Sequence, residues 1–172
     1  VPAFGSILYA KEVPETGGDT LFAGMTAAYD DLSDGLKKTL EGMHAVHSSR
    51  HIFGANKSRV SQVEELGERI LNPELATQDA THPIVLTHPR TGRKGLYVNP
   101  QFTTHIAGWT AEESEPFLAM LYTHISMQEH VCRFRWSRGA VAIWDNLATW
   151  HQAINDYHGH RRVMWRVTLE AA

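Results

Sequence analysis

Three side chains near the end of the sequence, His151, Arg162 and Arg166, have types and spacing that could do chemistry together. An imidazole can ligate a divalent metal through one ring nitrogen. A guanidinium can hold a carboxylate or sulfonate by two parallel charge-assisted hydrogen bonds, which an ammonium cannot reproduce. His151 closes the stretch Trp144-Asp145-Asn146-Leu147-Ala148-Thr149-Trp150-His151. After the polar segment Asn155-Asp156-Tyr157 comes Arg161-Arg162-Val163-Met164-Trp165-Arg166. This pattern predicts two strands joined by a turn, with His151 ending the first and both arginines on the second. Residues of even separation share a strand face, so Arg162 and Arg166 can point into one cavity with Met164 between them. Each residue alone has a plainer reading, the histidine as a satisfied strand residue and the arginines as surface charge. Order and spacing together favour a site.

The elements that must position these residues are legible in outline. Residues 4–11 read as a strand, closed by the turn-forming Pro14-Glu15-Thr16-Gly17-Gly18-Asp19, after which Thr20-Leu21-Phe22 resumes an extended stretch. Residues 25–42 read as helical, with Ser33 capping a second helix that carries Leu36 and Leu40 on one face and stops at Gly42. Met43 to Ser49 alternates as a strand, and residues 57–71 form an amphipathic helix through Val60, Val63, Leu66 and Ile70. Ile84-Val85-Leu86 and Leu96-Tyr97-Val98 bracket a hairpin turn at Pro89-Arg90-Thr91-Gly92-Arg93. Thr110 and Glu113 have capping-box spacing and open a helix to about Ile125. Four strands follow, near 130–136, 140–145, 148–153 and 162–169. The short turns of that closing run favour antiparallel pairing over a parallel α/β sheet. Residues 1–172 are therefore expected to form one domain, mainly β with inserted helices, a sandwich or partial barrel.

The stretch from Trp144 to Arg166 resembles the distal half of the active-site motif of the taurine dioxygenase-like (TauD/TfdA) family, which includes phenoxyalkanoate and alkylsulfate dioxygenases. The likeness extends through Pro14-x-x-Gly17-Gly18-Asp19-Thr20-Leu21-Phe22, Ala27-Ala28-Tyr29-Asp30 and Thr87-His88-Pro89-x-Thr91-Gly92, and covers essentially the whole chain. It implies a double-stranded β-helix, the jelly roll of clavaminate synthase-like enzymes. It also implies Fe(II) held by two histidines and a carboxylate, with 2-oxoglutarate and O2 as co-substrates. Such a facial triad leaves coordination positions open. By motif position His151 matches the distal iron ligand, Arg162 the clamp on the far carboxylate of 2-oxoglutarate, and Thr20 its hydrogen-bonding partner. Arg166 matches the arginine used for the acidic head of a small anionic substrate, a sulfonate, sulfate ester or carboxylate. Phe102 and Phe53 match aromatic walls of the substrate pocket, and Trp144 a tryptophan shielding the metal.

Two departures from the family pattern stand out. No His-x-Asp or His-x-Glu, the family's first ligand pair, occurs in this sequence, which opens on Val1-Pro2 without an initiator Met. The jelly roll is therefore expected to be incomplete at its N-terminus, with the missing ligands in residues preceding Val1. The second departure is Ala140, where relatives carry Asp after Gly, an exchange expected to touch a turn and not the chemistry. The leading expectation is a hydroxylating dioxygenase releasing succinate and CO2. Alternatives are a catalytically inactive jelly-roll module binding an anionic small molecule and a zinc-dependent cupin-like hydrolase.

Composition narrows the remaining classes. The 172 residues carry a net charge of −3, which offers no basic footprint for nucleic acid. No apolar run approaches the roughly 20 residues that cross a bilayer. The single cysteine, Cys132, excludes an internal disulfide, fits a reducing cytoplasm and reads as a core residue. Among eleven histidines, His44/His47, His47/His51 and His158/His160 imitate metal spacing but lack a coherent pattern. His82 and His88 each precede proline and read as structural. Trp109, Trp136 and Trp150 read as core or strand-face aromatics. Relatives commonly form dimers or tetramers, so a homo-oligomer is expected by resemblance alone.

Overall fold

A computed structural model describes residues 4–50 and 79–170. Its strands are β1 (Gly5–Glu12), β2 (Thr20–Gly24), β3 (His44–Ser48), β4 (Asp79–Pro83), β5 (Val85–Thr87) and β6 (Lys94–Leu96). They continue as β7 (Thr103–Ile106), β8 (Val131–Phe134), β9 (Val141–Asp145), β10 (Thr149–Ala153) and β11 (Val163–Leu169). The helices among these residues are α1 (Met25–Asp30), α2 (Asp34–Leu40) and α3 (Ala111–Ile125), followed by a 3-10 turn at Gln128–His130. The helix expected over 57–71 lies outside the described residues. The chain divides into two compact units, one of Val1–Lys37, Leu86–Leu96 and Thr123–Ala172, the other of Lys38–Val85 and Tyr97–Tyr122.

The first unit holds two three-stranded antiparallel sheets, ordered β11-β1-β9 and β10-β2-β8. The closing strands are antiparallel as expected, yet none pairs with its neighbour in sequence. They alternate between the two sheets, flanking β1 and β2, which is the two-sheet arrangement of a jelly roll. The alternation of β1 explains its burial. Ser6 and Ala10 are fully buried, and Ala10 packs with Trp136, Ala142 and Trp144. Leu8, Phe22, Phe134 and Met164 pack against that cluster. The opposite faces of β9 and β11 carry Val141, Ile143, Trp165 and Val167, all exposed. Small side chains at the inward positions of β1 leave room for the aromatics of both sheets.

Local signals hold where local chemistry decides. Thr110 and Glu113 form the reciprocal capping box, at 2.9 and 3.2 Å, that opens α3. The Ser33 hydroxyl accepts the Leu36 amide at the start of α2, and Gly42, at φ 80°, ends it. The hairpin appears as β5–β6, its turn closed by the His88 amide on the Arg93 carbonyl. Two sequence expectations fail. Cys132 is exposed and not in the core, because it lies on β8, an outer strand of its sheet. Trp109 is 40% exposed, because it sits in the turn before α3, where its ring packs on Phe117.

The second unit is built on β3, paired antiparallel with β4 and β7. His47 of β3 lies between Thr103 and the rings of His82 and Tyr97. Burial, and secondarily His82, pulls the His47 pKa down from 6.5 to about 4, and burial lowers that of His82. The unfolded chain therefore takes up protons below pH 6.5 that the folded protein refuses. Stability is expected to be full above about pH 6.5 and to decline as pH falls towards 4. Urea midpoints measured across that window should fall with pH, and less steeply in His47→Gln. A midpoint independent of pH would refute this.

Candidate active site

The two sheets of the first unit enclose an interior lined by aromatic rings, and Trp144 of β9 is its hub. The ring of His151 lies tilted, 4.8 Å from Trp144 and 6.4 Å from Phe22, centroid to centroid. Phe22 itself packs 5.3 Å from Trp144. From β11, in the same sheet as Trp144, the Arg166 guanidinium lies 5.6 Å over that ring, and its Nη2 donates to Ser6 Oγ at 2.9 Å. His151 and Arg166 thus meet on one tryptophan, although they belong to different sheets. Burial against these rings, and secondarily Arg166, holds the His151 pKa below its ordinary 6.5. Its imidazole is accordingly neutral at physiological pH, with a lone pair available to a metal.

Thr20 and Arg162 occupy the other end, around the Gly17-Gly18-Asp19 turn. Thr20 is buried and its Oγ1 accepts the Trp136 indole N–H at 2.9 Å, so its own O–H remains to donate. Gly17 and Gly18 have φ of 82° and 70°, and Gly18 lies flat against Arg162. A Cβ at Gly18 would stand 3.0 Å from Arg162 Cδ and 3.2 Å from the Tyr157 ring. The turn is fixed from the far side, where Asp156 accepts the Gly18 amide at 2.6 Å and Arg133 bonds Asp19 at 2.6 Å. Arg162 precedes β11, its guanidinium 5.8 Å from the Tyr157 ring. Its Nε and Nη2 are buried and have no hydrogen-bond partner among the described residues. A buried guanidinium with empty donors is costly, and an anion that accepts from both nitrogens relieves that cost.

His151, Thr20, Arg162 and Arg166 therefore all belong to this unit; Thr20 is buried against Trp136, while His151 and Arg166 touch Trp144 from exposed positions. Arg162 enters from the Gly18 side. Phe102 lies in the second unit, in the turn where its amide donates to Asn99 Oδ1 at 2.8 Å. Phe53 falls outside the described residues. Sequence reasoning missed Asp156 and Tyr157, which were visible only as a polar segment between His151 and Arg162. It also missed Trp136 as the partner of Thr20. His88, read as structural, bonds Asp145 at 2.8 Å, while its Nδ1 accepts the amides of Arg90 and Thr91 at 3.2 Å. Asp145 in turn accepts the Leu147 amide at 2.7 Å, which shapes the turn into β10 and hence the placement of His151.

The family model described as "Taurine catabolism dioxygenase TauD, TfdA family" matches residues 1–168. The chain is 37% identical over 166 residues to an alkylsulfatase of Acinetobacter baylyi, covering 95% of this chain and 51% of that protein. It is 34% identical over 165 residues to an alpha-ketoglutarate-dependent sulfate ester dioxygenase of Pseudomonas putida, covering 95% and 54%. Among solved structures, AAD-2 in complex with Mn(II) and N-oxalylglycine superposes with a TM-score of 0.81 at 30% identity, over 98% of this chain and 64% of that one. The chain spans about half the length of the curated relatives it matches.

Proposed function

Because the chain belongs to the taurine catabolism dioxygenase TauD, TfdA family, we propose that it supplies the distal half of an Fe(II)- and 2-oxoglutarate-dependent dioxygenase site. The reaction would hydroxylate a small organic acid with release of succinate and CO2. The observation that carries this reading is the buried, unpartnered Nε and Nη2 of Arg162, packed on Gly18 two positions before the buried Thr20. Together they offer three donors to one carboxylate, and a diacid with its other end on a metal is a ligand of that shape. His151 would supply one metal ligand, its neutral ring held in place by Trp144 and Phe22. The bound metal would supply oxygen activation coupled to oxidative decarboxylation of the co-substrate.

The chain's own residues would divide the remaining work. Trp144 and Phe22 would orient the His151 ring through their tilted contacts with it. Arg166, kept over Trp144 by its bond to Ser6, would attract the anionic head of the substrate. That head is a sulfonate, sulfate ester or carboxylate, the classes named among the relatives. Phe102 and Phe53 remain proposed walls of the substrate pocket. We also keep residues 1–172 as part of one catalytic domain, located in the cytoplasm and forming a homo-oligomer. No helix among the described residues is long and apolar enough to cross a membrane.

The test is anaerobic titration of the full-length protein with Fe(II) and 2-oxoglutarate. A metal-to-ligand charge-transfer band is expected, and succinate should form when oxygen and a sulfate ester or sulfonate are added. Absence of the band would favour the anion-binding module instead, and activity with zinc but not iron would favour the hydrolase.

A further inference from the structure

A second cluster of metal-ligating groups lies in the first unit and shares no residue with the His151 interior. Asp31 at the C-cap of α1, His124 in the last turn of α3 and His130 in the 3-10 turn place one ligand atom each within 4.8 Å of the other two. Sequence spacing hides this set, since 93 residues separate Asp31 from His124. The backbone fixes which nitrogens are committed. His130 Nδ1 lies 2.9 Å from the His124 carbonyl, and His124 Nε2 lies 2.8 Å from the Ala28 carbonyl. A carbonyl oxygen only accepts, so both of those nitrogens donate. The lone pairs of the neutral rings then sit on His124 Nδ1 and His130 Nε2. Metal-binding histidines characteristically give their other N–H to a backbone carbonyl or carboxylate in this way.

His130 Nε2 faces the Asp31 carboxylate at 3.4 Å, with the histidine side chain almost fully buried. A lone pair aimed at a carboxylate is satisfied by a cation between them, either a proton or a metal ion. For a tetrahedral ion with bonds of about 2.0–2.1 Å, donor atoms stand roughly 3.3–3.4 Å apart along each edge. The spacing of His130 and Asp31 matches that edge. The two imidazole rings, 5.0 Å apart and inclined at 59°, converge without stacking.

We propose that Asp31, His124 and His130 form a site for a divalent transition-metal ion of borderline softness, such as Zn(II), which ties the end of α1 to the turn that leads into β8. Two imidazoles and one carboxylate suit such an ion, and the fourth position is open to water. The role is a staple. β8 flanks β2, so the ion would hold the outer strand of the sheet that carries Thr20 and His151.

The probe is Zn(II), and the background is full-length protein carrying His151→Ala, so that metal held through His151 does not mask this site. After chelation and dialysis, this protein should bind one zinc per chain, with a higher thermal midpoint in its presence. Adding His130→Gln should abolish the saturable binding and the thermal shift. Adding Asp31→Asn instead, at an exposed position that the fold tolerates, should weaken zinc at least tenfold, and this variant decides the matter if His130→Gln does not fold. Lack of zinc binding in the His151→Ala protein would overturn the proposal, since the pair is then a plain His130–Asp31 ion pair. So would zinc held equally in all three proteins.

Discussion

Replacing Arg162 with alanine is expected to weaken 2-oxoglutarate binding by roughly a hundredfold or more, while leaving the cofactor-free protein at least as stable as before. The two halves of this result come from one observation. The buried Nε and Nη2 of Arg162 have no hydrogen-bond partner among the described residues, so removing the side chain from the empty protein costs no bond and removes a poorly compensated charge. With a carboxylate present, each charged hydrogen bond is worth about 1.5–3 kcal/mol, so losing two costs about 3–6 kcal/mol. Arg162→Lys restores the charge without the fork and should fall between. Calorimetric titration of 2-oxoglutarate into the metal-loaded protein, with thermal melts of the empty protein, measures both halves. Unchanged affinity in Arg162→Ala would remove the clamp from the proposal altogether.

The second large effect is expected from His151→Ala, which should abolish stoichiometric iron binding and with it the charge-transfer band. Among the described residues its ring has no hydrogen bond, and its ring contacts are the tilted ones with Trp144 and Phe22. The loss should exceed the roughly 10–100-fold typical of removing a group that merely orients a ligand. His151→Gln keeps much of the volume and should preserve the fold without restoring metal. Iron content after anaerobic reconstitution and gel filtration is the readout. An iron stoichiometry equal to that of the parent protein would show that position 151 is not a ligand.

What the sequence disclosed, and what it withheld, follows the range of the interactions concerned. The capping box of Thr110 and Glu113 was legible because both partners lie within one turn of helix. His151, Arg162 and Arg166 were legible because their spacing along two strands survives folding unchanged. The settings of these residues were not. Arg166 is steadied by Ser6, 160 positions away, and Ser6 also bonds Asn146, 140 positions away. Thr20 meets Trp136 across 116 positions. Those partners come from sheet pairing, and the short turns of the closing strands suggested neighbours pairing with neighbours. Cys132 was misplaced for a related reason, since an apolar-looking strand does not reveal whether it lies at the margin of its sheet. The Asp31, His124 and His130 cluster shows the limit most clearly, with three ordinary residues joined only by the meeting of α1 with the end of α3.

The threading of β1 and β2 between C-terminal strands also sets when this molecule can acquire its structure. Both are the middle members of their sheets, and among the described residues their neighbours all arise from position 131 onward. During synthesis β1 and β2 must wait for more than a hundred later residues to emerge before these pairings can form. Such high contact order slows folding and prolongs the exposure of sticky edges. Emergence of residues 131–169 is therefore the step at which the two sheets can close around β1 and β2.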